Sequence, residues 1–156
     1  MFRTAICLVS ICMFLFGCST PKSFQIECQS VSVDAAYILD VTTESKKELK
    51  DLNTIKLEAI DGVLFRGISG PNCVTQKPIL TQSKSELKSN KFINSILGKK
   101  KGYDKYVTSI SKLNTSATVD FKKTTIIYKY RVSINKELLR KDLTEAGILK
   151  SLNTGF

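Results

Sequence analysis

Apolar and polar positions alternate most clearly between Val31 and Thr42. Val31, Val33, Ala35, Tyr37, Leu39 and Val41 fall on one side, Ser32, Asp34, Asp40 and Thr42 on the other. A period of two marks a strand with one wet face. The same period returns from Thr125 to Ile134. Ile126, Tyr128, Tyr130, Val132 and Ile134 face one way; Thr125, Lys129, Arg131 and Ser133 face the other, with Ile127 the exception. Upstream, Tyr106 to Phe121 predicts a long or broken strand, regular at Ala117, Val119 and Phe121 but not around Asn114-Thr115-Ser116. Lys122-Lys123 is the expected hairpin turn, without the glycine that tight hairpins favour. Phe24, Ile26 and Cys28 also alternate, enough for a short edge strand at the end of an apparent tether over 18–29.

Three stretches carry helical spacing. Ser45-Lys46-Lys47-Glu48 has the capping-box pattern, in which the serine hydroxyl accepts from the Glu48 amide and the glutamate reaches back. Behind it Leu49, Leu52, Ile55, Ala59 and Val63 form one apolar stripe, predicting a helix to about Leu64 with Gly67 as its stop. Ser83-Lys84-Ser85-Glu86 repeats the pattern ahead of Leu87, Phe92, Ile93, Ile96 and Leu97, and Gly98 ends that helix. Asn135 is placed to cap a last helix from Lys136 to Ala146, with Gly147 closing it. Between the first two helices, 67–82 reads as a long connection containing Gly70-Pro71-Asn72-Cys73 and Pro78. Loops of that length tend to carry function. The expected fold is α+β in the order β-α-α-β-β-α. It is a small antiparallel sheet of three or four strands with helices packed on one face, forming one domain over 30–150 and a tail over 151–156.

The amino terminus has a different character. Arg3 precedes an apolar run from Ala5 to Phe16 broken only by Ser10, and Ser19-Thr20-Pro21-Lys22 ends it at once. That is the layout of a secretory signal over 1–17. A membrane-crossing helix needs about 20 apolar residues, more than this run supplies. The ending Leu15-Phe16-Gly17-Cys18 resembles the lipobox of bacterial lipoproteins. The resemblance implies cleavage between Gly17 and Cys18, a diacylglyceryl group on the Cys18 thiol, and acylation (palmitate or a similar chain) of the new amine. Two or three acyl chains make attachment effectively permanent where one holds only marginally.

Removing 17 of 156 residues leaves 139, enough for one domain and hardly two. The signal carries off only Arg3, so 24 basic residues become 23 against 14 acidic ones, a balance of +9. An excess of that size suits nucleic acid or an anionic surface. Export excludes nucleic acid and leaves lipid headgroups, lipopolysaccharide, wall polymers or acidic proteins. Lys99-Lys100-Lys101, between two glycines, is the concentrated charge and the candidate anion contact. With Lys122, Lys123, Lys129 and Arg131 it would make a basic face; otherwise it is a solvated loop. Of five cysteines, Cys7 and Cys12 leave with the signal and Cys18 takes lipid, so Cys28 and Cys73 remain in an oxidising compartment. They form either a disulfide or two buried thiols.

Candidate chemistry is thin. The chain has no histidine, which removes the commonest general base and metal ligand. Two cysteines so far apart in sequence do not make a zinc site, so neither metal nor cofactor is expected. Asp34 and Asp40 share a strand face but would sit about 20 Å apart. Asp142 and Glu145 look like solvated helix charges. No catalytic residue emerges, and an enzyme is not expected.

Two longer stretches carry a second resemblance. Leu57 to Gly67 after a strand, and Val132 to Ile148 at the end, look like small uncharacterised lipoproteins of Bacteroides-type Gram-negative bacteria. More loosely, they are similar to an envelope domain shared by lipoproteins and flagellar accessory proteins. This implies a non-enzymatic accessory or docking role with an envelope protein partner. Families of this kind place acidic residues after the lipidated cysteine as a surface-export signal. Ser19-Thr20-Pro21-Lys22-Ser23 stands there instead, which implies the periplasmic side of the outer membrane. The alternative function is a binding module for an anionic envelope ligand.

Overall fold

The computed structural model describes residues 23–32, 36–45, 49, 51–98, 100–120 and 123–150, and the side chains of all of these except 114, 118–120 and 123–125. The sheet grows from a hairpin of two alternating strands, β1 (Phe24–Val31) and β2 (Ala36–Ser45), paired antiparallel from Phe24↔Thr43 to Val31↔Tyr37. In β2 the odd positions Tyr37, Leu39, Val41 and Thr43 are buried. Helix α1 (Asn53–Asp61) follows and widens into a π-type turn, Gly62–Arg66. Two very short strands come next, β3 (Ile68–Gly70) and β4 (Cys73–Gln76), then helix α2 (Lys91–Leu97) and a 3-10 turn, Gly102–Lys105. A long hairpin, β5 (Val107–Asp120) and β6 (Lys123–Asn135), leads into helix α3 (Lys136–Glu145).

The strands form one sheet in the order β4-β3-β1-β2-β6-β5. Its core face carries Leu39 and Val41 of β2 and Tyr130, Val132 and Ile134 of β6. These pack with Ile55, Ala59 and Ile60 of α1, Ile93 and Ile96 of α2, and Leu139 and Leu143 of α3 in one buried cluster. The helices therefore share a face and leave the other face of the sheet wet.

The α+β class stands, but the small sheet of three or four strands and the order β-α-α-β-β-α do not. Six strands are present among the described residues, and one neighbouring pair, β1 with β3, is parallel through Glu27↔Ser69. Two segments account for the difference. Residues 24–29, read as the end of a tether with at most an edge strand, form β1, which lies inside the sheet between β3 and β2. Residues 67–82, read as a connection, hold β3 and β4, which at three and four residues are too short to show alternation.

Two capping signals also turn out differently. Ser45 ends β2, and 46–48 lie outside the described residues; α1 begins only at Asn53. The second capping box does form, with Ser83 N–H donating to Glu86 Oε2 at 3.1 Å and Glu86 N–H to Ser83 Oγ at 3.3 Å. It closes only a turn. Helix α2 starts later, where Asn90 Oδ1 accepts from Phe92 and Ile93 N–H at 3.0 and 3.1 Å. Asn135 caps α3 through Leu138 N–H at 2.9 Å, and Gly147 turns the chain at φ 69°.

Candidate functional site

Cys28 of β1 and Cys73 of β4 are joined by a disulfide, Cα to Cα 5.8 Å. The bond spans β3, and that span explains why β3 needs Gly70. A Cβ there would lie 1.9 Å from the Cys28 carbonyl oxygen. Gly67 enters the same hairpin at φ 75°, a left-handed conformation that side chains resist. The carbonyls left open by the π-type turn are met beyond β4, where Ile79 and Leu80 N–H donate to Val63 and Leu64 C=O at 3.1 and 2.9 Å. Residues 67–82 are thus a tied-down edge with one apolar side chain, Val74, 83 % exposed.

The wet face of the sheet carries the densest polar arrangement. Asp40 of β2 stands opposite Arg131 of β6. Arg131 grips it with two parallel bonds, Nε to Oδ1 at 2.8 Å and Nη2 to Oδ2 at 3.0 Å, and Lys129 Nζ lies 3.2 Å from Oδ2. The fork geometry of guanidinium and carboxylate makes this the strongest class of side-chain hydrogen bond. Asp40 is only 1 % exposed although its face is uncovered, because the two long cations fold over it. Burial alone would push its pKa up. The hydrogen bonds and charges of Arg131 and Lys129 outweigh that and hold it below the usual carboxylate range. Gln29, Lys112 and Leu113 complete an open depression of about 520 Å³ around the pair.

A second carboxylate is buried at the junction of α3 with the 3-10 turn. Asp142 Oδ2 accepts from Tyr106 Oη at 2.7 Å and from Lys105 Nζ at 2.6 Å. Burial opposes its charge, but these two donors, Lys105 foremost, carry its pKa below the ordinary value. The same contact, added to burial, pushes the Tyr106 phenol far above its usual pKa. Asp142 is thus no solvated helix charge; Glu145, one turn on, is exposed and lies 3.8 Å from Lys141.

The sequence-derived site residues scatter. Gly17 and Cys18 lie outside the described residues, as does Lys99. Lys100 and Lys101 are exposed in the turn after α2, and Lys101 takes a left-handed backbone at φ 54°. Lys101 lines a groove with residues of α1, whereas Lys129 and Arg131 stand on the wet face of the sheet. One basic face from these groups is therefore not assembled, and Lys122 and the Lys123 side chain lie outside what is described. Asp34 also lies outside. Sequence reasoning missed Asp40–Arg131 and Tyr106–Asp142–Lys105, because each joins residues that become neighbours only through strand order and helix docking.

Among the described residues no three His, Cys, Asp or Glu side chains are grouped to hold a metal ion, and no helix is long and apolar enough to cross a membrane. Asp40 and Asp142 are each paired with cations, which lowers both pKa values. No family model, curated protein or solved structure matches this chain.

Proposed function

We propose that this chain is a cell-envelope lipoprotein, anchored through lipid on Cys18, whose α+β domain serves as a non-enzymatic accessory or docking module facing the periplasm. The observation that carries the reading is the Leu15-Phe16-Gly17-Cys18 ending of the signal-like segment. The Cys28–Cys73 disulfide supports the same compartment, since such bonds persist where the surroundings are oxidising.

The first test is lipid attachment. Cells fed an alkyne-tagged fatty acid should label the wild type and leave Cys18→Ala unlabelled, and the wild type alone should partition with detergent. Equal labelling of both, or of neither, would sink the anchor. Docking is tested by crosslinked recovery of partners from native membranes, with Val74→Asp as a third sample. An envelope protein recovered with the wild type and lost in Val74→Asp supports the exposed β4 edge as the contact. Recovery of lipid or glycan alone would favour the anionic-ligand function.

A further inference from the structure

The register of the sheet brings two ends of the chain together. Phe24 of β1 stands opposite Thr43 of β2, and Thr43 stands opposite Tyr128 of β6. The chain therefore enters the domain at the end of the sheet where β6 begins and β5 finishes. There β2 stops at Ser45, opposite Ile126, while β5 and β6 go on as a ribbon of two strands from Ala117↔Ile126 to Asp120↔Lys123. Lys123 lies five positions beyond Tyr128, so the ribbon projects about 16 Å past the level of Phe24. Phe24 in turn follows Cys18 by six positions, a reach of at most about 20 Å.

The root of the ribbon is unlike the rest of its strand. Ile127 is the apolar exception among the wet positions of β6. It is half-exposed and outside the core cluster, with Glu44 and Ser116 directly across from it. Ile126, which points to the opposite face, is half-exposed as well. An apolar side chain thus stands on each face where the ribbon leaves the sheet. Two strands alone are at best marginally stable in water, and a surface that takes up such side chains would support them.

We propose that the β5–β6 ribbon rests on the bilayer that holds the chain's own lipid, with Ile127 at the headgroup boundary. The inference rests on lipid attachment at Cys18. With that lipid in the membrane, a linker stretched straight along the strands leaves the end of the ribbon only about 4 Å short of the surface, and any slack brings it into contact. The other end of β5, at Ser109↔Ser133, lies about 20 Å farther out than Ile127.

The chain has no tryptophan, so a single one introduced is the only indole. The test places it at Ile127→Trp or Ser109→Trp in the full lipidated chain on vesicles of phosphatidylethanolamine and phosphatidylglycerol, with and without brominated acyl chains. Bromine should remove at least about half the fluorescence of Ile127→Trp, as for a ring sunk into the headgroup boundary, and leave Ser109→Trp unchanged. Ser116→Trp, at an exposed position across from Ile127, should be quenched likewise and serves if Ile127→Trp does not fold. Flotation of the vesicles separates the two readings. Protein that floats without quenching at 127 and 116 overturns the proposal and leaves the anchor standing. Protein that floats with equal quenching at 109 lies flat on the membrane, which also overturns it. Protein that does not float at all removes the anchor, and the proposal with it.

Discussion

Cutting the Cys28–Cys73 bond should cost this domain much more than the half-exposed position of Cys73 suggests. The bond closes a chain segment of sequence separation 45. In the chain-entropy account a loop of that size destabilises the unfolded state by about 4 kcal/mol. The noncovalent ties it reinforces are sparse. β3 meets β1 at Glu27↔Ser69, and the Tyr37 hydroxyl donates to Gln76 Oε1 at 3.3 Å. The perturbation is Cys28→Ala with Cys73→Ala, which leaves a small void at buried Cys28. The assay is urea unfolding of variant and oxidised wild type, followed by far-ultraviolet circular dichroism. With a slope of about 1.5 kcal/mol per M, the midpoint should fall by about 2–3 M. A fall below about 0.5 M at unchanged slope would refute the reasoning. It would mean that β3 and β4 detach before the rest unfolds, so that the constraint never enters the main transition.

Three further outcomes follow from the buried polar groups and the hairpin. Asp40 and Asp142 have folded pKa values below their unfolded ones, so the unfolded chain binds more protons in acid. Their contribution is complete above about pH 4 and drains away as pH falls through the folded values. Asp40→Asn with Asp142→Asn should flatten the acid limb of a melting-temperature profile. Tyr106 has the opposite sign: its folded pKa is raised, so its share of stability is present below about pH 10 and is lost above it. Tyr106→Phe strips one donor from buried Asp142 and should cost about 1–3 kcal/mol in thermal unfolding, while Lys105 still holds the carboxylate. Gly70→Ala places a methyl against the Cys28 carbonyl and should cost at least about 2 kcal/mol. Thiol labelling after oxidative folding should then find Cys28 and Cys73 free in part of the population.

What the sequence showed and what it hid separate along physical lines. The inward faces of β2 and β6 were legible because Tyr37, Leu39 and Val41, and Tyr130, Val132 and Ile134, repeat at a period only a strand produces. The α3 cap was legible because one residue, Asn135, does the work locally. β3 and β4 were not, since strands of three and four residues are defined by what they pair with. The helix predicted after Ser45 illustrates competition: β2 continues through Ser45 in register with β6 as far as Ile126, and sheet pairing takes a residue that local propensity assigns to a cap. Asp40 shows the same limit for a site. Its wet position was visible in the alternation, but its burial depends on Arg131 lying directly across from it, 91 residues later.

The place of β1 in the sheet bears on how the domain would carry force. Phe24 lies six positions after Cys18, so the chain between them reaches at most about 20 Å. With the lipid that we propose on Cys18, the domain would be held close to the bilayer surface, and a partner would meet it there. Tension on such a leash would enter at β1, an inner strand with β2 on one side and β3 on the other. An outermost strand unzips one rung at a time. An inner strand pulled along its axis loads the Phe24↔Thr43 to Val31↔Tyr37 ladder together rather than one rung at a time, so force entering through β1 would be shared by its whole pairing with β2.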